Sequence, residues 1–173
     1  MLKPFLISFV LVAALFDLRW RRIPNWLNLT GWIFGMILQL YTNGLEGVGQ
    51  GLLGSLVGLT VYGVLFALRA MGGGDVKLMG AIGAFTGPLA WFSVFLTAAL
   101  MGGFIGLISV FTRGEFTRVG RNMAVVVWEL VHLRAPYKAS ADLDVSSPHA
   151  RTLPHGVAIA IGTILWVIYT MSR

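Results

Sequence analysis

The chain has 173 residues, of which 57% are hydrophobic and 12% charged, and a mean hydropathy of +0.80. A soluble domain of this length carries about twice that charged fraction, so the composition points to a bilayer and leaves room for one compact bundle. Cysteine is absent, which excludes a disulfide framework, a thiolate metal site and a cysteine nucleophile. The net charge of +6 is read as a signal of membrane orientation, not of nucleic-acid binding.

The expected class is all-α: a polytopic transmembrane bundle of about six spans, forming a single domain over 1–173. The first span covers Met1 to Leu18, with Lys3 at its edge and Asp17 near its end. A cleaved signal peptide fits poorly, because one Lys precedes the apolar run whereas Arg19, Arg21 and Arg22 follow it. Pro24 and Asn25 open a second apolar run, Trp26 to Tyr41, since proline is tolerated at a helix start. Thr42 to Gly47 is expected to be a loop, and a third span runs from Val48 to Leu68. Met71 to Lys77 reads as a second loop.

Leu78 to Thr112 then carries no charge over about 35 residues, too long for one span of about 20. Gly87-Pro88 is the natural break, giving a short fourth span, Val76 to Thr86, and a fifth, Leu89 to Phe111. Residues 113–151 form a loop region. Within it, Arg118, Arg121, Asn122, Glu129 and His132 share one face of a helix too short to cross, which suits the membrane interface. A sixth span runs from Leu153 to Met171. Of the 13 Lys and Arg, all but Lys3 and Arg173 then fall in three loops on one side. The positive-inside rule makes that side cytoplasmic and places the N-terminus outside. Glycines recur at spacings of four, as at Gly31 and Gly35 or Gly54 and Gly58, and are read mainly as sites of close helix packing.

Only seven acidic residues exist, and Asp17 and Asp75 each border an apolar helix at the same expected depth. Two close carboxylates cannot both ionise cheaply, so such a pair can supply a base and an acid at once. Each alone has an ordinary reading: Asp75 as a helix N-cap, Asp17 as a partner for Arg21 or Arg22. Gly72, Gly73 and Gly74 leave room for another backbone beside Asp75, or merely form a flexible turn. Lys77 biases the pair's charge or only snorkels to the surface. His132, His149 and His155 show no metal-ligand spacing, so no metal or other cofactor is expected.

Gly72-Gly73-Gly74-Asp75-Val76-Lys77-Leu78 resembles the GxGDxKL signature of type IV prepilin peptidases. Asp17-Leu18-Arg19-Trp20-Arg21-Arg22-Ile23-Pro24-Asn25 is similar to that family's first aspartate segment. Leu153-Pro154-His155-Gly156-Val157-Ala158 resembles its Pro-aromatic-Gly-x-Ala segment, with His155 where the aromatic residue stands. The small size looks most like the CpaA/TadV-like Tad/Flp pilus branch.

The resemblance implies an aspartyl endopeptidase in the inner, or plasma, membrane. It would cut the basic leader from prepilin-like membrane proteins at the cytoplasmic face. Asp17 and Asp75 match the catalytic aspartates, with Gly72 and Gly74 shaping the active-site loop and Lys77, in the same loop, tuning charge. Without cysteine, the N-methylation found in larger members is not expected. The rivals from other classes are a small transporter or channel, which calls for mid-span charges that are absent, and a non-catalytic secretion-assembly protein.

Overall fold

In the computed structural model the described residues are 2–114, 116–132, 134, 139 and 154–172. They form five helices: α1 (Leu2–Trp20), α2 (Asn25–Ala67), α3 (Gly73–Arg113), α4 (Phe116–Val131) and α5 (His155–Met171). No strand occurs among the described residues, so the all-α expectation holds. The loop expected over 135–151 falls almost wholly outside them, as do Glu115, Asp142, Asp144 and His149.

The two longest helices are not straight rods. Trp32 Nε1 donates to Ser55 Oγ at 2.9 Å, although 23 residues of continuous helix would separate them by about 35 Å. Gly51 likewise lies against Met36, and Gly47 against Gln39. The pairing closes on Gly44, whose φ of 64° and ψ of −153° belong to a region open essentially to glycine alone. Helix α2 is therefore a tight hairpin of two antiparallel halves, α2a (25–43) and α2b (45–67). Gly87 does the same in α3, with φ 71° and ψ 174° just before Pro88. Across that turn Trp91 Nε1 donates to the Met79 carbonyl at 3.0 Å, joining α3a (73–86) to α3b (88–113).

These turns correct the expected loop at Thr42–Gly47. The chain stays helical up to Gly44 and resumes after it, because one glycine in that conformation suffices to reverse the path. The expected Met71–Lys77 loop is shorter too, for α3 already begins at Gly73. By length and composition, Asn25–Ala67 and Gly73–Thr112 are apolar enough to cross a membrane. Helix α5 is a shorter apolar helix.

A reversal leaves carbonyls without helical donors. Pro88 has no N–H, and the turn removes the usual partner of the Phe85 carbonyl. Gln39 Nε2 donates to that oxygen at 2.9 Å, while its own Oε1 accepts from Asn43 Nδ2 at 2.8 Å. An interhelical hydrogen bond of this kind contributes roughly 1 kcal/mol in an apolar setting.

Helices α2 and α3 share the largest interface, and α5 packs against α3 and α1. Helices α1 and α5 run antiparallel: Lys3 Nζ donates to the Thr170 carbonyl at one end, and Gly156 meets Asp17 at the other. The core holds Leu6, Val10, Leu78, Ile82, Trp91, Val94 and Val167, all essentially inaccessible. Leu15, Leu29, Leu56, Leu100 and Phe104 project outwards. An outside this apolar is the pattern of lipid contact, not of a watery surface. Helix α4 turns Phe116, Met123, Val127 and Val131 outward along one stripe, and Phe111 of α3 meets Phe116 edge-on at 4.9 Å.

Candidate active site

Both hairpin tips lie at one end of the bundle, which brings the starts of α2 and α3 together at the other. Asp17, on α1, accepts the Arg21 N–H through its backbone carbonyl at 2.9 Å. Arg21 then turns left-handed, with φ 52°, and ends the helix. Buried Ile23 and Pro24 carry the chain directly into α2. Asp75 sits in the first turn of α3, with its N–H donating to the Gly72 carbonyl at 3.1 Å. Each carboxylate thus stands at a helix end, held there by local backbone bonds.

The two acids share one cavity of about 370 Å³, lined also by Arg21, Arg22, Ile23, Asn25 and Gly72 to Gly74. Asp17 is 8% exposed and Asp75 9%. They lie within electrostatic reach of each other. Burying two carboxylates in one cavity is costly unless they are compensated.

Gly73 and Gly74 are helical, not part of a mobile turn, and Gly72 is the N-cap. A Cβ on Gly72 would come no closer than 3.5 Å to Asp75 Oδ2, and one on Gly74 no closer than 3.4 Å to Ile23. The protein's own packing therefore does not demand glycine at either position. What the missing side chains leave open is space in the acidic cavity.

Lys77 stands elsewhere. Its Nζ donates to Asn25 Oδ1 at 2.8 Å, and it lines a neighbouring apolar cavity of about 380 Å³ with Leu29, Trp32 and Leu59. It ties the start of α2 to α3 instead of lining the acidic cavity. Asn28 supports the same junction, with Nδ2 donating to the Gly74 carbonyl at 3.3 Å. Because that carbonyl can only accept, the amide orientation is fixed, and the buried Oδ1 finds no partner among the described residues.

Three further residues beside the acids are not among the site residues expected from the sequence. Gly156 N–H donates to Asp17 Oδ2 at 2.8 Å in a buried bond. His155, beside it, lies within electrostatic reach of Asp17. Tyr62 of α2b, buried among Trp91 and Phe95, lies within electrostatic reach of Asp75. Tyr62 carries no local signature, whereas the likeness around Pro154 was a signal for Gly156. Among the described residues, no cluster of three His, Asp or Glu is placed to hold a metal ion.

The described residues thus form an all-helical bundle with an apolar exterior and two buried acids at one end, a design suited to a membrane protein. Residues 4–107 match the model of the type IV leader peptidase family, and the chain belongs to that family. It is 32% identical over 122 residues to a prepilin leader peptidase/N-methyltransferase of Aeromonas hydrophila, an alignment covering 66% of this chain. The chain spans only 42% of that relative's length. No solved structure matches it. Members of the family are membrane proteins, and the two long apolar helices fit that setting.

Proposed function

We propose that this chain is an aspartyl endopeptidase that removes the leader of prepilin-like membrane proteins, of the Flp type, by means of an Asp17–Asp75 dyad. The observation that carries the reading is the convergence of those two acids, from separate helices, in one cavity. One carboxylate, ionised, takes a proton from water as the oxygen adds to the scissile carbonyl. The other, protonated, donates to the developing oxyanion. Collapse of the tetrahedral intermediate breaks the C–N bond, and the departing nitrogen takes up a proton from the pair. The two acids exchange base and acid roles over the cycle, so their protons belong to the pair. The products are a new carboxylate and a new amine.

In this reading α1, α2a, α2b, α3a, α3b and α5 are six membrane passes, and the acidic cavity opens at the cytoplasmic face. The N-terminus lies outside, and α4 rests in the interface. Arg19, Arg21 and Arg22 at the end of α1 and Arg69 just after α2 lie at the dyad end, which supports the cytoplasmic placement through the positive-inside rule. Lys77, bonded to Asn25, positions the α2–α3 junction.

The test is proteolysis in lipid vesicles. Purified chain is mixed with a precursor carrying a short basic leader before an apolar helix, and the products are read by mass spectrometry. A single cut at the leader–helix junction, unchanged by a metal chelator or by serine and cysteine protease inhibitors, is expected. Intact precursor after prolonged incubation, or cleavage abolished by the chelator, rules the mechanism out.

The glycines give a second measurement. Gly74→Ala is expected to leave thermal stability unchanged or slightly raised, since alanine is the better helix former. Its methyl group enters the acidic cavity, however, and cleavage should fall at least about tenfold, mainly through KM, for a cost of about 1.4 kcal/mol in substrate binding. Wild-type kinetics from this variant would mean that no backbone passes beside Gly74.

A further inference from the structure

We propose that Gly156 is the positioning residue of the dyad: its N–H anchors one oxygen of Asp17, and its lack of a side chain gives that carboxylate its place. The inference rests on the peptidase reading for its consequence in catalysis, but not for the geometry.

The bond follows from the start of α5. The first N–H groups of a helix have no acceptor within it and must find one elsewhere. Pro154 is the N-cap, and its carbonyl accepts from Val157 N–H at 3.2 Å and Ala158 N–H at 3.3 Å. The Gly156 N–H goes to Asp17 Oδ2 at 2.8 Å, 139 residues away in the chain. That length is typical of a charge-assisted hydrogen bond, and a helix N-terminus favours an anion through its aligned peptide dipoles. Asp17 thus caps α5 from a different helix. With Oδ2 so engaged, the carboxylate is fixed relative to both α1 and α5.

The steric half of the argument is equally specific. A Cβ built on Gly156 lies 2.9 Å from Asp17 Oδ2, 3.0 Å from its Cβ and 3.1 Å from its Cγ. Any other residue must push the Asp17 side chain away. The Asp17 Cβ is bound directly to a buried backbone and has little room to yield, so the displacement falls on the carboxyl group. A shift of about 1 Å in a reacting group costs on the order of a hundredfold in rate.

Gly156→Ala is therefore expected to lower kcat for precursor cleavage at least about a hundredfold, with KM held within about threefold. Gly102→Ala serves as the control, because its Cβ would meet only the Ala158 methyl at an ordinary 3.7 Å. It should cleave like wild type. A folded Gly156→Ala protein retaining kcat within about threefold of wild type overturns the proposal.

The second arm does not depend on that variant folding, or on cleavage. Protein labelled with ¹⁵N-glycine in nanodiscs gives amide resonances for the glycines, 22 in the sequence. Asp17→Asn should move the Gly156 amide proton upfield by more than any other glycine resonance, since a neutral amide oxygen is the weaker acceptor. An unmoved Gly156 resonance sinks the proposal even if the chain cleaves precursor. A moved resonance in a protein that cleaves nothing upholds the anchor and rejects the peptidase reading instead.

Discussion

Replacing Asp17 or Asp75 with asparagine is expected to lower precursor cleavage at least about a thousandfold, with the protein still folded. General acid–base groups contribute about 10²–10⁴ in rate, and in the proposed mechanism each acid serves both roles in turn. Asparagine has nearly the shape of aspartate, and at position 17 its amide oxygen can still accept the Gly156 N–H. At position 75 the backbone bond to Gly72 is untouched. Neither change opens a cavity, and each relieves the crowding of two buried acids, so thermal midpoints in detergent should stay level or rise. The doubly substituted protein should be about as slow as either single one, because groups that act as a unit are not additive. A double variant whose loss equals the product of the two single losses would show that the acids act separately. Full processing by either single variant would remove that acid from the mechanism.

The second large effect concerns stability. Gly83→Leu is expected to abolish folding, and Gly83→Ala to lower the thermal midpoint markedly and reduce abundance in the membrane. A Cβ at Gly83 lies 2.3 Å from the carbonyl carbon and oxygen of Gly54 and 2.6 Å from the Ser55 nitrogen. Those are backbone atoms of α2b, so no side-chain rotation can relieve the contact. The two helices must separate along the largest interface in the bundle. Overpacking of a core costs about 1–3 kcal/mol where side chains can adjust, and more is expected here because they cannot. Gly63→Ala is the matched control, since a Cβ there meets nothing within 4 Å. Equal abundance of Gly83→Leu and wild type would contradict the packing described. The dyad variants and this one separate cleanly: the first group should be abundant and inactive, the second scarce.

Much of this arrangement is legible in the sequence. Charge-free apolar runs marked the helices, and Gly87-Pro88 marked a turn, because proline lacks a donor and glycine tolerates positive φ. The other turn was only roughly placed. Thr42 to Gly47 looks like a loop by composition, yet a single residue, Gly44, performs the reversal. Nothing local separates a glycine that breaks a helix from one that packs within it, as Gly47 and Gly51 do. The paired acids could be suspected from matched positions at helix boundaries. Their partners could not, since the Gly156–Asp17 bond and the electrostatic reach between Tyr62 and Asp75 depend on how distant helices cross. Lys77 shows how little proximity in sequence fixes direction: two residues from Asp75, it donates to Asn25, which lines the acidic cavity, while Lys77 itself lines the neighbouring one.

The brevity of α3a carries a consequence for the surrounding lipid. Gly87 and Asp75 are 12 residues apart, about 18 Å of helix. On α1, Lys3 and Asp17 give a second ruler of about 21 Å. A hydrocarbon layer is about 30 Å deep, so neither ruler reaches across it. In the proposed topology, with Lys3 and the Gly87 turn at the outer surface, the acids would lie beneath the headgroups of an undeformed bilayer, or the leaflet beside them would be pinched inward. The proposed hydrolysis would need a wet recess reaching down from the surface, and the cavity lined by Arg22 and Gly73 would be its floor.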